Sequence, residues 1–512
     1  MTKFLRARYK ICWLLLVCWF DSLNAQSTLN SAGREFRGAW IATVENIDWP
    51  SSPNLTPEAQ RQEFTAYVSS LRELGFNALI VQIRPSADAF YPSPSEPWSK
   101  YLTGEQGKPP NPFYDPLQFM IQTAHQHSME FHAWINPYRA LNNNDLTSVA
   151  SNHPLKQHPE WFVKYGEKYY FNPSLPEVQD HIIQVLSDLV RNYDLDAIHL
   201  DDYFYPYRIQ GEEFPDVLNH SQSSMAGYDL GDWRRNNVNV LIYQLHKTIK
   251  SIKPYVQLGI SPFGVWRNAD KDPLRGSATK AGQTCYDDLY ADVLFWMEQG
   301  WIDYVVPQLY FYLGHPLIDP EIAAQWWANN LHECNYYIGH ALYRVGQDPH
   351  AAWQNPEEMP NQIKLARSMS GCQGSIYFSA KWFKDNLLGF SDSLKLEYYK
   401  RPALLPMPPK LTMTTLNKVN VIKLKNKKKF VRITWEQDLN AYYYTIHRFN
   451  GSRVGNLIDT KYLLYQSPFG NPKNYYVDYH AKHKSSYTYI ITAYTREHEA
   501  SLPGNPITLK KK

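Results

Sequence analysis

From Arg34 to about Lys400, short apolar runs alternate with longer stretches whose apolar residues recur every three or four positions. The short runs are Phe36–Val44, Phe76–Arg84, Glu130–Pro137, Leu195–Tyr203, Val256–Phe263, Asp303–Phe311, Asn335–Arg344 and Gly374–Ala380. They carry little interior charge, as strands of a parallel sheet buried on both faces do. The stretches between them read as helices with recognisable starts. Thr56-Pro57-Glu58 opens the first, with Phe64, Val68 and Leu71 on one face and Gly75 at its end. Asp115-Pro116, Asp319-Pro320 and Asn355-Pro356 repeat the cap-then-proline pattern, and Ser174 to Glu177 has the capping-box spacing. Eight strands joined by helical crossovers predict a (β/α)8 barrel over residues 34–400.

Beyond Lys400 the pattern changes. Residues 401–409 hold four prolines and read as a semi-rigid linker. Strict alternation follows: Val431, Ile433, Trp435; Tyr442, Tyr444, Ile446; Tyr487, Tyr489, Ile491. Short alternating strands divided by Asn-Gly and Pro-Gly turns predict a small all-β sandwich over residues 410–509. The segment resembles a fibronectin type III domain, with Trp435 as core residue and Ser486 to Tyr489 near a tyrosine corner. No Cys pair is present for an immunoglobulin domain proper. Lys423, Lys425, Lys427, Lys428 and Lys429 form a basic run, read as a solvated hairpin or as a contact for an anionic envelope polymer.

The N-terminus reads as a targeting segment over residues 1–25. Lys3, Arg6, Arg8 and Lys10 precede a short apolar run, Ile11 to Phe20, and a cleavage site after Ala25. The expectation is export to the periplasm or cell envelope. Lipidation at Cys18 is the lesser alternative, because Val17 is bulky where a small residue is needed. No later segment has the length of a membrane span. Cys285, Cys334 and Cys372 give neither a disulfide framework nor a zinc spacing, and read as buried free thiols, with a single bridged pair in an oxidising compartment as the alternative.

Composition narrows the chemistry. A net charge of +3 on 512 residues makes no case for nucleic acid as partner. Aromatic content of 15%, with 38 Tyr and 16 Trp, suits a groove that stacks on sugar rings. Long segments rich in Pro and aromatics follow several strands, and in a barrel such loops gather on the catalytic face.

The fourth run ends Ala197-Ile-His-Leu-Asp-Asp-Tyr-Phe-Tyr-Pro206. A period of two puts Ala197, His199 and Asp201 on one face, and Ile198 and Leu200 on the other. The apolar pair suits the helix side, so His199 and Asp201 point into the barrel. Asp202 falls at the strand end. Asp201 and Asp202 are the catalytic candidates, acids delivered into an aromatic loop. Trp40, Arg84, Asn136, Tyr138, His199, Tyr203, Gln308 and Tyr310 are candidates for holding substrate. No Glu or Asp stands directly at the ends of strands five to eight. A two-carboxylate scheme therefore needs Glu45, Asp88, Glu212, Glu213 or Asp270 from a loop, or a substrate N-acetyl group as nucleophile.

These segments together resemble glycosyl hydrolase-like family 10. The matching stretches begin at Glu35, Leu71, Phe131, Leu195, Gly259 and Val305. The resemblance implies an exported (β/α)8 glycosidase acting on a polysaccharide such as cell-wall glycan, with Asp201 and Asp202 as its acidic site. Relatives that act on peptidoglycan strands stripped of peptide suggest an N-acetylated substrate. No cofactor or metal is expected, and oligomeric state is not legible. Two other readings compete. A metal-dependent deacetylase would use His199, Asp201 and Asp202. A non-catalytic glycan-binding scaffold would not bury paired acids at the barrel top.

Overall fold

The computed structural model describes residues 33–410, 414–470 and 472–511. The expected targeting segment, with Cys12 and Cys18, lies outside the described residues. The chain divides into two units, one holding Phe36–Lys400 with residues 408–410, the other holding Arg401–Met407 and the C-terminal stretch. The proline-rich segment is thus shared between them. In the second unit Glu35 N–H donates to Leu404 O at 2.9 Å.

The first unit is a closed barrel of parallel strands. They are β1 Phe36–Ile41, β2 Ala78–Arg84, β3 Glu130–Ile135, β4 Ala197–Leu200, β5 Gln257–Ile260, β6 Tyr304–Val305, β7 Asn335–His340 and β8 Cys372–Tyr377. Each pairs with the next and β8 closes on β1, the (β/α)8 order. Most strands are shorter than the apolar runs. β6 keeps two residues because Pro307 has no N–H to donate. Its carbonyl still accepts from Gly339 N–H at 3.1 Å, and bridges at Gln308 extend the ladder.

Helices α1 Pro57–Glu73, α2 Pro116–Gln126, α3 Pro176–Asn192, α4 Leu230–Ile252, α5 Val293–Glu298, α6 Pro320–Asn329 and α7 Glu358–Ser368 form the crossovers. Their apolar faces share one core with the outward strand residues, including Leu79, Val81, Ile198 and Leu200. Thr56, Asp115 and Asp319 cap α1, α2 and α6 through their side chains. The capping box at α3 does not form. Ser174 Oγ–H donates instead to Asn172 Oδ1 at 2.8 Å, and Leu175 becomes the N-cap. Asn355 accepts from Glu357 N–H at 3.0 Å, and α7 starts only at Glu358.

The barrel lumen is filled by rings, with Ile80 and Ile376 packed against Gly38. Phe36 stacks on Tyr337, and Tyr304 lies against His132, His199 and Tyr337. β5 makes room for Tyr304 by presenting Gly259, where a Cβ would stand 1.8 Å from Tyr304 Cζ. Polar atoms here are satisfied in a file. His132 lies 2.9 Å from Glu130 Oε2 through Nε2 and 2.8 Å from the Tyr304 hydroxyl through Nδ1. His199 Nδ1 meets that hydroxyl at 2.9 Å, and its Nε2 meets Ser261 Oγ at 2.9 Å. One consistent set of donors runs His199 Nδ1–H to Tyr304, Tyr304 O–H to His132, and His132 Nε2–H to Glu130. Burial, then the neighbouring His132, hold the His199 pKa well below its usual value, so it stays neutral.

The second unit is a sandwich of two antiparallel sheets. Its strands are β9 Val421–Lys427, β10 Phe430–Trp435, β11 Tyr443–Asn450, β12 Leu463–Gln466, β13 Tyr475–Asp478, β14 Ser486–Tyr494 and β15 Ile507–Lys510. The sheet orders are β9-β10-β13 and β12-β11-β14-β15. Val431, Ile433 and Trp435 face Tyr444, Ile446, Tyr489 and Ile491 in the core. At the start of β14, the Tyr487 hydroxyl accepts from Lys482 N–H at 3.0 Å, tying the strand to the turn before it. Among the described residues Cys285, Cys334 and Cys372 form no disulfide, the first buried and the others half-buried.

Replacing Gly259 by Ala drives a methyl into the Tyr304 ring and strains the file beneath the site. The expected loss is about 3 kcal/mol or more, read by denaturant unfolding. Gly282→Ala, with open space around the glycine, is the control and leaves the midpoint unchanged.

Candidate active site

A pocket of about 410 Å³ opens over the lumen, lined by residues from or just beyond the C-terminal ends of strands. Such loops follow strands at the face where barrel enzymes do their chemistry. Trp40, Asp201, Asp202, Tyr203, Gln308 and Tyr310 are on its wall, six of the ten residues singled out by sequence. Asp201 continues the inward row of Ala197 and His199, and Asp202 follows where the strand ends.

Asp201 is held as an acceptor. Asn136 Nδ2–H donates to its Oδ2, as does Trp134 Nε1–H at 3.3 Å, and Tyr203 N–H reaches Oδ1 at 3.3 Å. Asn136 is oriented in turn by Gln82 Nε2–H, which donates to its Oδ1 at 2.6 Å. Asp202 accepts from the Tyr207 hydroxyl. Both carboxyls are buried. Burial and the charge of Asp202 push Asp201 up to about 7, and burial raises Asp202 as well. The guanidinium of Arg139, 3.6 Å over the Tyr203 ring, pulls both downward but does not override burial. Two desolvated neighbours cannot both ionise cheaply, so the pair retains a proton near neutral pH.

Four expected substrate contacts lie elsewhere. The β2–β3 register shifts between Gln82 and Arg84. Beyond this bulge Arg84 forms a buried bidentate pair with Glu96, at 2.7 and 2.5 Å. Burial alone would raise Glu96, but the Arg84 charge overrides it and holds the carboxyl at about 2. Tyr138 is a ring of the helix-side core. Asn136 is buried behind Asp201 and positions it. His199 lies beneath the pocket with both ring nitrogens engaged, Nε2 also accepting from Trp40 Nε1–H at 3.3 Å. That arrangement removes it from the zinc-ligand role of a deacetylase. Among the described residues, no group of three His, Cys, Asp or Glu side chains is placed to hold a metal ion.

Of the five acids weighed as partners, Glu45 alone is on the pocket wall. It is exposed, with φ 54°, and Asn46 follows at φ 53°. Left-handed geometry at consecutive non-glycine residues is costly and persists only where neighbours enforce it. Here Gln82 Oε1 accepts from Thr43 and Val44 N–H at 3.0 and 2.9 Å, and Asn46 Nδ2–H reaches Pro50 O and Tyr101 O. Asp88 is buried against Gln106, Glu212 accepts from Gly166 N–H, Glu213 pairs with Arg234, and Asp270 is exposed.

Several wall residues escaped the sequence reading. Trp134 stands in the same row as His132 and Asn136, so the period of two already pointed at it. Asn142 and Lys168 lie beside and within a small antiparallel sheet of Arg139–Leu141, Lys168–Phe171 and Phe162–Tyr165, in what read as a loop, and the same sheet brings Arg139, just past the end of the third apolar run, onto the wall. Tyr207, Tyr343 and Phe378 lie past strand ends, where alternation carries no information. The loop bearing Tyr203 to Tyr207 is pinned by Arg234, buried against Asp216 at 2.5 Å.

The raised carboxyl pKa makes a signed prediction about stability. The folded pair keeps a proton, shared between its two carboxyls, that the unfolded chain releases from about pH 4 upward, so stability falls as pH rises from there to about 7. Asp201→Asn removes this penalty. The variant's melting temperature should match the parent's below about pH 4 and exceed it by several degrees above pH 7, read by calorimetry across pH. Equal melting temperatures at pH 8 would contradict the buried, protonated pair.

Comparison with known proteins agrees with this geometry. The glycosyl hydrolase-like 10 family model matches residues 35–355. Glycosyl hydrolase YngK of Bacillus subtilis (strain 168) is 42% identical over 488 residues, 93% of each chain. Glycosyl hydrolase DigH of Escherichia coli (strain K12) is 37% identical over 375 residues, covering 69% of this chain and 84% of that one. With two relatives so named and the family model spanning most of the barrel, the chain belongs to the glycosyl hydrolase-like 10 family and is a glycoside hydrolase.

Proposed function

We infer that the protein is exported and cleaves an N-acetylated glycan of the bacterial cell envelope, with peptidoglycan strands as the leading substrate. The observation that carries the reading is the buried Asp201–Asp202 pair on one strand end, under an aromatic wall of Trp40, Trp134, Tyr203, Tyr310 and Phe378. The basic and apolar start of the chain, with its small-residue cleavage site, supports export. The sheet orders and the Tyr487 bond support a fibronectin type III-like identity for the sandwich.

The two acids adjoin in sequence and share one strand end, rather than coming from separate strands of the barrel. That favours a mechanism in which the substrate's own N-acetyl oxygen attacks the anomeric carbon. The hydrogen bonds assign the roles. Asp201 faces three donors, which favour its ionised form, and so accepts the amide N–H as the acetamide closes on the sugar. Asp202 faces the Tyr207 hydroxyl and gives its proton to the departing glycosidic oxygen. Water then opens the ring intermediate and returns a proton to Asp202. Glu45 supports a second reading, in which it serves as the opposite carboxylate of a two-acid mechanism, because its strained backbone is fixed on the pocket wall.

Variants separate these readings. On glycan strands stripped of peptide, Asp201→Asn and Asp202→Asn should each lower release of reducing ends by about 100-fold or more. With an aryl glycoside, whose leaving group needs no proton, Asp202→Asn should recover much of its rate and Asp201→Asn should not. Glu45→Gln should stay within about threefold of the parent, and chemically de-N-acetylated strands should resist cleavage. Full activity in both aspartate variants would sink the site assignment. Collapse of Glu45→Gln, with de-N-acetylated strands still cut, would transfer the mechanism to the two-acid reading.

A further inference from the structure

The near-neutral total charge hides a partition. Residues 36–400 hold 28 Lys and Arg against 41 Asp and Glu, whereas residues 414–512 hold 17 against 6. The excess of positive charge gathers on one sheet face. In the β9–β10 ladder, Lys423, Lys425 and Lys427 stand opposite Thr434, Arg432 and Phe430. In the β10–β13 ladder, Arg432 stands opposite Val477 and Thr434 opposite Tyr475. Val431, Ile433 and Trp435 point into the core, so these partners all point outward.

The outer face therefore carries three lysines in a row, roughly 7 Å apart along β9. Beside them lie Arg432, Phe430 and Tyr475, and Tyr479 just past β13 is 69% exposed. Arg432 sits 4.0 Å over the Tyr475 ring, and Phe430 meets Tyr479 at 6.1 Å. Lys428 and Lys429 extend the row into the turn. No strand residue on this face is acidic. Asp478 turns inward to Arg448 and Tyr489, and Glu436 follows the end of β10. Lys425 directly opposite Arg432 is a like-charge cross-strand pair, which weakens a sheet unless something outside it supplies the opposite charge.

An edge lysine row can serve simply to block strand pairing. That role needs neither the central cation Arg432 nor the rings beside it. We propose that the outer face of β9-β10-β13 binds a linear carboxylate-bearing glycan, its acid groups on the lysine row and its sugar faces on Tyr475, Tyr479 and Phe430. The charge of the ligand follows from the face itself. The choice of glycan over nucleic acid rests on the envelope-glycan reading above.

The test uses the full chain with Asp202→Asn, so that bound strands are not cut. Binding is measured against polygalacturonate, a linear glycan with one carboxylate per sugar, against neutral dextran, and against single-stranded DNA. Polygalacturonate should bind, weaken steeply with salt, and weaken at least tenfold in Lys423→Glu/Lys425→Glu/Lys427→Glu. The triple variant should melt no lower than the parent, because the change relieves the Lys425–Arg432 repulsion. A Lys→Gln triple variant repeats the measurement should the charge reversal disturb folding. Unchanged binding in the triple variant would overturn the proposal, as would equal binding to dextran or tenfold preference for DNA. In a chain with Asp202 intact, the lysine variant should cleave a short N-acetylated oligosaccharide within twofold of the parent. A matching loss there would overturn the proposal by making the face part of the active site. The binding readout does not depend on which residues are catalytic, so failure of the aspartate assignment leaves it interpretable.

Discussion

A closed eight-stranded barrel must fill its own lumen, and in this chain rings with polar atoms carry much of that filling beside Ile80 and Ile376. Tyr304 occupies the space that Gly259 leaves open, and its hydroxyl joins two histidines. Each buried donor or acceptor in the file has a partner, which is the condition for burying polar groups at all. His199, locked neutral between Tyr304 and Ser261, forms the floor on which the Asp201–Asp202 pair rests. Because the strand period carries the file directly into Asp201, the acid inherits its position from the packing beneath it.

The acid layer runs against the stability of the fold. Two carboxyls are desolvated side by side, with the Arg139 guanidinium pulling against their burial. Burial keeps a proton on the pair at a pH where free aspartate would have lost it, which is what a general acid requires. The neighbouring strand end stores strain of a different kind, in the left-handed Glu45 and Asn46. Gln82 serves both places, bonding the amides of Thr43 and Val44 through its oxygen and Asn136 through its nitrogen. One side chain thereby couples the shape of the β1 loop to the orientation of Asp201.

The barrel was legible because its signals are local and repeated: eight apolar runs, proline-led helices and a period of two that sorts each strand into inward and outward rows. Asp201 could be placed by that period alone. It failed at Arg84 because a single bulge changes the register, and a bulge leaves no mark in the hydrophobic pattern. It failed at Lys168 because a hairpin inserted between β3 and β4 brings it back over the pocket. The capping box at Ser174 was lost to a nearer partner, Asn172, which no spacing rule ranks. The sandwich was legible for the same reason as the barrel, since its alternation continues strictly through Trp435 and Tyr489.

The separation of charge between the two units has a consequence for the protein in solution. A chain that is nearly neutral overall but keeps its signs apart behaves as a large zwitterion. In dilute buffer, the acidic barrel of one copy attracts the basic sandwich of another. Added salt screens that attraction beyond about 8 Å at physiological ionic strength. Such a protein salts in: its solubility rises with ionic strength, the reverse of what its net charge of +3 alone would suggest.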